Sequence, residues 1–483
     1  MKSNFRKFPL LRLWMTVILF IVWSAGPATA STGDSTAKVL SLSEFIQVVK
    51  TYHPVARQAQ LLPEQARAEL LIARGGWDPV LSSVYSSKNY EGVDYYSYFE
   101  NKISVPLWYG VEVNAGYDYA GGEKLNSESV LPQSGLGYAG VSVSLLKNMF
   151  IDRQRAALKQ ARLFTEASEQ QKLLLLNDLL LEALNTYYDW SYAYREYGIY
   201  TEAVRVAELR YRATQQGVLY GDKAAIDTTE ALTQLQSRQY QLNEARLRFL
   251  NKGLALHNYL WLDNNSPRPL DTAIVPAPLH SGFTEQELPL RYLEDLALEL
   301  QESHPLLLNY GFKLRQLDIE RKLKIENLKP TLNAKYHALR EQFDFRDEGR
   351  ASFRNNYALG IHFSMPLSFM QGRGALKQTK LDIQHTRYAL DYKRQELLNQ
   401  LRSIFNELLT AQQQTRLYEQ SLEGFRALYE GEMLRFNSGE SSLFLVNARE
   451  SRLLEAQVKL SELQARYFKT EAELKWAVGN IGR

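Results

Sequence analysis

The stretch Ala157-Leu158-Lys159-Gln160-Ala161-Arg162-Leu163 returns as Ala375-Leu376-Lys377-Gln378-Thr379-Lys380-Leu381, from 157 to 375, an offset of 218. The offset then holds without a gap. Gly221-Asp222 maps onto Gly439-Glu440, and Leu235, Leu242, Phe249 and Leu256 map onto Leu453, Leu460, Tyr467 and Leu474. Upstream, His53-Pro54 precedes Asp78-Pro79 by 25 residues, and His304-Pro305 precedes Lys329-Pro330 by the same 25. Duplication on this scale makes each half one structural unit that packs against its copy.

Two local periods divide each half. Proline is absent from 133 to 266 and from 367 to 483, and both stretches are rich in strong helix formers. In the second, Ile383, Leu390, Leu397, Ile404, Ala411, Tyr418 and Phe425 are each seven apart. Leu453, Leu460, Tyr467 and Leu474 resume the spacing, with Ala456, Leu463 and Ala477 three residues after members of it. A sustained seven-residue repeat is a coiled-coil seam. Glycine-containing breaks at 217–222 and 437–442 split each stretch into two helices. A ~60-residue helix spans roughly 90 Å, a rod that bridges a distance or lines a tube.

Residues 79–147 have the other period. Val80, Ser82, Val84 and Ser86 alternate with Leu81, Ser83 and Tyr85, and Phe99–Leu107, Val111–Tyr119 and Ala139–Leu145 read as further strands. Gly121-Gly122 and Gly135-Leu136-Gly137 punctuate them as loops. In the second half, Thr331–Leu339 and Ala358–Met365 are the strand candidates, with Glu341–Arg350 a charged loop between them. Tyr85, Tyr90, Tyr95, Tyr96, Tyr98, Trp108, Tyr109, Tyr117 and Tyr119 crowd the first strand region. Amphipathic rings of this kind form the girdles of membrane barrels, although aromatic residues suit any sheet. The first half has 33 more residues than the second between its strand-entry proline and its Ala-Leu-Lys-Gln stretch, 78 (79 to 157) against 45 (330 to 375). That surplus is room for an added hairpin or a long outer loop. Residues 39–75 read as a helix interrupted by Pro54 and Pro63.

The N-terminal segment reads as a signal peptide over 1–30. Lys2, Arg6, Lys7 and Arg12 precede the apolar run Leu13–Trp23 and Ala28-Thr29-Ala30, so cleavage is expected before Ser31, with an uncleaved anchor as the alternative. The chain has no cysteine, which excludes disulfides, thiolate metal sites and a lipid-modified cysteine. A net charge of +3 over 483 residues gives no electrostatic case for nucleic acid. No apolar stretch past the signal peptide is long enough for a spanning helix, which leaves soluble periplasm or an outer-membrane barrel.

Enzyme signatures are missing. Gly135-Leu136-Gly137-Tyr138-Ala139-Gly140 fits G-x-G-x-x-G in form, but it opens an extended run instead of joining a strand to a helix. The seven histidines show no metal-ligand spacing, and His53 and His304 hold equivalent places before proline, which favours a turn role. No catalytic, cofactor-binding or metal residue is assigned, and the chain reads as no enzyme.

Taken in order, the paired His-Pro turns, Pro79 and Pro330, Val105-Pro106-Leu107 and Met365-Pro366-Leu367, the tip glycines, and Arg435-Phe436-Asn437-Ser438-Gly439-Glu440-Ser441-Ser442-Leu443-Phe444 resemble the TolC family of outer-membrane efflux proteins. The resemblance covers Leu40 to Gly479. It implies a mainly α protein with a membrane β-barrel portion, two tandem repeats, and a homotrimeric coiled-coil tunnel below a shared barrel. The first repeat would span 31–262, with strands at about 79–147 and helices at about 151–216 and 222–260. A linker would cover 263–289. The second repeat would span 290–483, with strands at about 330–366 and helices at about 373–436 and 441–478. The implied role is the passive outer-membrane duct of a tripartite efflux or type I secretion system. Its partners would be a periplasmic adaptor, an inner-membrane transporter and outer-membrane lipid. A soluble coiled-coil adaptor and an exported enzyme are the alternatives. Family members carry aspartates after the tip glycine. Asp227 matches that place in the first repeat, whereas the second repeat offers Leu445, Asn447 and Ala448. Gly221, Asp222, Asp227, Gly439, Glu440, Leu445 and Asn447 are therefore the candidates for the periplasmic tip and its constriction. Asp222, Asp227 and Glu440 are also residues that helix caps and first turns favour on local grounds.

Overall fold

The computed structural model describes residues 38–269, 274–278, 289–341 and 355–481. The signal peptide and most of the Glu341–Arg350 loop lie outside the described residues. Each half begins with two short helices. In the first, α1 (Leu42–Tyr52) and α2 (Pro54–Arg74) meet at His53; in the second, α5 (Leu290–Ser303) and α6 (Pro305–Glu326) meet at His304. The reason is the same in both halves. Proline at the first helical position needs no N–H partner, and the imidazole Nδ1 accepts the next free amide, from Val55 in one half and Leu306 in the other, both at 3.2 Å. The histidines are helix N-caps.

Pro63 does not interrupt α2, contrary to the sequence expectation. It lies inside the helix and is buried, as are Ala56, Ala59 and Ala66 on the same face. A mid-helix proline costs about 3 kcal/mol. Packing of that face against the long helix that follows offsets the cost and keeps the rod continuous.

The long helices are α3 (Arg153–Leu219), α4 (Ala225–His257), α7 (Met370–Asn437) and α8 (Leu443–Val478). At 67 and 68 residues, α3 and α7 each extend roughly 100 Å. Each pairs with the helix that follows it, and α3 also packs on α8, which joins the two halves. The heptad phase is the one the sequence gives. Leu397, Ile404 and Ala411 on α7 and Leu453, Tyr467 and Leu474 on α8 are buried, and Leu235 and Leu256 on α4 repeat the pattern. The cores gather where the short helices meet the long ones. Leu40, Phe45, Val49, Leu180, Tyr187 and Trp190 form one cluster, with Phe45 and Tyr187 stacked at 5.4 Å. Leu300, Leu397, Leu401, Phe405, Leu408 and Tyr467 form its counterpart. A short parallel pair, β1 (Lys38–Leu40) with β6 (Ile274–Pro276), ties the inter-repeat connector to the start of α1.

The remaining strands form one antiparallel sheet. They are β2 (Val80–Tyr90), β3 (Val93–Pro106), β4 (Val111–Gly121), β5 (Leu136–Ser144), β7 (Thr331–Arg340) and β8 (Tyr357–Ser364), adjacent in that order. Among the described residues the first half supplies four strands to this sheet and the second two, so the surplus residues of the first half are an added hairpin. Its place can be read from the shared X-Pro-Leu: 51 residues run from Pro106 to Ala157, against nine from Pro366 to Ala375. The added element is β4–β5, and β2–β3 corresponds to β7–β8. Gly140 permits the join between the halves, because a Cβ there would meet the Tyr336 carbonyl oxygen of β7.

Two outcomes follow from this packing. Leu397→Asp would put an unpaired charge in a closed core and cost about 3–5 kcal/mol; Leu460→Asp would cost less, because Leu460 is only half-buried. Thermal unfolding of the two variants gives the comparison. The second outcome concerns acid. Burial lowers the pKa of His304 from 6.5 to about 4, opposed by Asp178 and aided by Lys393. Neutral imidazole is what the cap requires, so the unfolded chain takes up the proton first as pH falls. This contribution to stability is complete above about pH 6.5 and is lost as pH falls towards 4. His304→Asn keeps a capping acceptor without the titration, and its thermal midpoint should fall less between those pH values.

Candidate functional site

The sheet has two unlike faces. Cross-strand register places Leu81, Ile103 and Ala115 on one side, and the row Tyr85, Phe99 and Tyr119 on that side as well. Val141, Tyr336 and Leu359 continue that face, as do Leu332 and Phe363. On the single chain, Leu81, Leu359, Ile361 and Phe363 are 60–72 % exposed. The opposite side carries Ser82, Lys102, Asn114, Gly140 and His337, with Glu100, Glu112, Asp118 and Lys335. There Lys102 pairs with Glu112 at 3.4 Å, Asn114 donates to Ser142 Oγ at 3.2 Å, and Tyr138 stacks on His337 at 4.9 Å. An apolar face with an aromatic row and a polar, charged face is the division that a wall between lipid and water requires. Where strands give way to helices, Trp77 and Trp108 stack at 5.2 Å, and Tyr109 and Phe150 stand exposed nearby in sequence. Aromatic rings at that level suit a membrane–water interface. Among the described residues, no helix is long and apolar enough to cross a membrane.

At the far end of the long helices, two turns repeat one geometry. Asp222 N–H donates to Gly217 O and Gly221 N–H to Val218 O; Glu440 N–H donates to Arg435 O and Gly439 N–H to Phe436 O. Gly221 and Gly439 have φ of 82° and 79°, the left-handed conformation that ends a helix in this way. The turns are neighbours, since the Lys223 ammonium lies over the Phe436 ring at 4.7 Å. Asp222 and Glu440 are exposed, each directly after its glycine, and Leu445 is exposed at the start of α8. Asp227 is half-buried in the first turn of α4. Among the described residues, no hydrogen bond or ion pair joins Asp222, Asp227 and Glu440 within one chain. Asn447 stands apart from these. It is buried between helices, where it accepts from Arg210 Nη1 at 3.1 Å and donates to Glu230 at 3.0 Å. In one chain it is a packing residue and not part of an open mouth.

Asn447 leads to a site that the sequence reading missed. Arg210 on α3 grips Glu450 on α8 with both terminal nitrogens, at 3.0 and 2.9 Å, and reaches Tyr429 on α7 at 3.1 Å. Arg238 on α4 donates to Ser451 at 2.7 Å and stands 3.9 Å from Glu450. Arg210, Arg238 and Glu450 are 5–11 % exposed at the side chain. All four long helices therefore converge on one buried carboxylate, a few turns from the tip. The sequence held one sign of it: Glu450 falls seven residues after the buried Leu443, a charge on an apolar face. Its partners on α3 and α4 lie more than 200 residues away.

Residues 296–480 match the family model described as outer membrane efflux protein. The match lies in the second half of the chain. A search of curated protein sequences finds no significant match. Solved structures with the same fold include the CmeC outer membrane channel of Campylobacter jejuni, at 16 % identity and a TM-score of 0.62, over 90 % of this chain and 85 % of that one. The open-state MtrE outer membrane channel of Neisseria gonorrhoeae gives 14 % and 0.64 over 90 % and 88 %. The outer membrane protein VceC of Vibrio cholerae gives 14 % and 0.61 over 91 % and 96 %. The chain thus has the fold of these outer-membrane channel structures, and its second half matches the outer membrane efflux protein model.

The buried network yields a stability outcome. Arg210→Met leaves Glu450 with only the more distant Arg238 and should cost about 3–5 kcal/mol. Arg210→Lys should recover only part of this, because a single ammonium cannot reproduce a two-pronged grip. Denaturant unfolding of the three proteins measures the order.

Proposed function

We propose that this chain is a passive outer-membrane efflux channel, three copies of which share one barrel and one helical tunnel. They form the exit duct of an assembly in which an inner-membrane transporter supplies the energy and a periplasmic adaptor makes the join. The observation that carries this reading is the pair of open sheet edges. Among the described residues, strands β2 and β8 each have one neighbour, and a sheet in lipid cannot leave a row of amide groups unpaired. The two edges run in opposite directions, so β8 of one copy can continue into β2 of the next as an antiparallel pair.

A second surface agrees with this. Ile226, Tyr240, Leu247 and Leu254 on α4 are 55–70 % exposed, and the last three are seven apart. They form a coiled-coil seam with no partner in a single chain. A neighbouring copy supplies one at the same side of the molecule all the way down the tunnel. Gly221, Asp222, Asp227, Gly439, Glu440 and Leu445 would then ring the periplasmic mouth. Carboxylates there attract cations and repel anions.

Two measurements on one preparation test the reading. Mass analysis of the detergent-solubilised protein should give three copies of the chain; a stable monomer overturns the shared barrel. Asp227→Asn with Glu440→Gln should leave the assembly intact and reduce cation preference in single-channel recordings. Unchanged selectivity would return both residues to helix-end chemistry.

A further inference from the structure

We infer that the β4–β5 hairpin is part of the barrel wall, so that three chains close an 18-stranded barrel instead of one built from the β2–β3 and β7–β8 hairpins alone. The inference rests on the trimeric reading above and concerns what that trimer encloses.

Three observations carry it. The first is pairing. Strand β4 is bonded along its length to β3, and β5 to β7, so the hairpin sits between the two halves and separates β3 from β7. An appendage outside the wall would leave β3 and β7 bonded to each other. The second is alternation. Val111, Val113, Ala115, Tyr117 and Tyr119 share the apolar face of β3, while Glu112, Asn114 and Asp118 share its polar face. On β5, Val141 and Val143 alternate with Ser142 and Ser144 in register with both neighbours. A hairpin lying in water or covering a loop has no need of one lipid-like face in phase with the rest of the sheet. The third is the joint. Tyr109 and Gly110 have φ of 61° and 71°, and Leu107 N–H donates to Val111 O at 2.7 Å, so β3 reverses into β4 at once. At the other end, the buried Arg155 donates to the carbonyls of Asn148, Met149 and Phe150. Asn148 O also lies 3.0 Å from where a Cβ on Gly110 would stand. The hairpin thus enters and leaves the sheet at one level, where strands give way to helices.

Strand number sets barrel width. With ~4.8 Å between strands and a tilt of ~40°, twelve strands give roughly 24 Å across the backbone and eighteen roughly 36 Å. The wider ring leaves an aqueous lumen lined by Glu112 and Asp118 from each copy.

The chain has no cysteine, so single thiols report on the wall directly. Glu112→Cys, Val113→Cys, Asp118→Cys and Tyr119→Cys are made in the full chain and treated in intact outer membranes with a charged, membrane-impermeant maleimide. Labelling at 112 and 118 at least about tenfold above 113 and 119 is expected. Equal labelling at all four positions, or the reverse order, overturns the inference. Electron cryomicroscopy of the unsubstituted trimer counts strands without relying on any variant. Eighteen supports the wide wall. Twelve, with β4–β5 outside it, overturns the wide wall and leaves the trimeric duct standing. A protein that is not trimeric removes the earlier reading as well.

Discussion

Lipid offers no hydrogen-bond partner to a peptide group, and among the described residues two strands of this sheet, β2 and β8, each lack a neighbour on one side. Much of the architecture answers to that constraint. The apolar face of the sheet is acceptable only in contact with acyl chains, yet placing it there exposes both edges to the same medium. In the proposed trimer, closure with further copies would resolve the conflict, and the copies would then have to agree in direction and level. The antiparallel run from β2 to β8, with its even strand count, makes each edge suited to the other. The tunnel is the continuation of this requirement into water, where α3 and α7 leave the sheet as rods of roughly 100 Å.

The duplication supplies the rods twice, and each copy is braced in the same way. A pair of short helices joined at a His-Pro cap packs against the long helices and closes an aromatic or aliphatic core. The caps depend on a neutral imidazole in both places, and burial keeps both histidines below their ordinary pKa. The sheet departs from this symmetry, because the first half carries β4–β5 and the second does not. An insertion between two paired hairpins costs little when its own face pattern is in phase, since every neighbouring ladder is restored one hairpin further on.

Charge is used in two ways along the helical part. Near the tip, Arg210, Arg238 and Glu450 are withdrawn from water and pair across α3, α4 and α8. Such a group favours one arrangement of the two helical hairpins over others that bury the same area, since a shifted register strands a charge. At the turns themselves, Asp222 and Glu440 remain in solvent, and in the proposed duct their field would act on ions at its mouth. The first set has packing consequences and the second electrostatic ones, although both lie within a few helical turns.

Much of this was legible in the sequence, for a local reason. A seven-residue stripe, a two-residue alternation, a glycine after a helix and a histidine before proline each act over one or two turns of chain, so periodicity and spacing reveal them. Long helices, their breaks, the strand segments and the repeat all follow from such short-range rules. Pro63 shows where those rules stop: its local cost is real, and the packing of α2 outweighs it. The sequence left open whether the surplus in the first half was loop or hairpin, since either fits its glycines and tyrosines. Only the bonding of β5 to β7, between residues nearly 200 apart, placed it within the sheet. Asn447, which the family resemblance put among the tip candidates, is held by Arg210 and Glu230, and the grip of Arg210 on Glu450 spans 240 positions. Contacts at such separation depend on how whole helices and strands dock. A one-dimensional period fixes which face of an element is apolar, but the partner that covers that face is chosen in three dimensions.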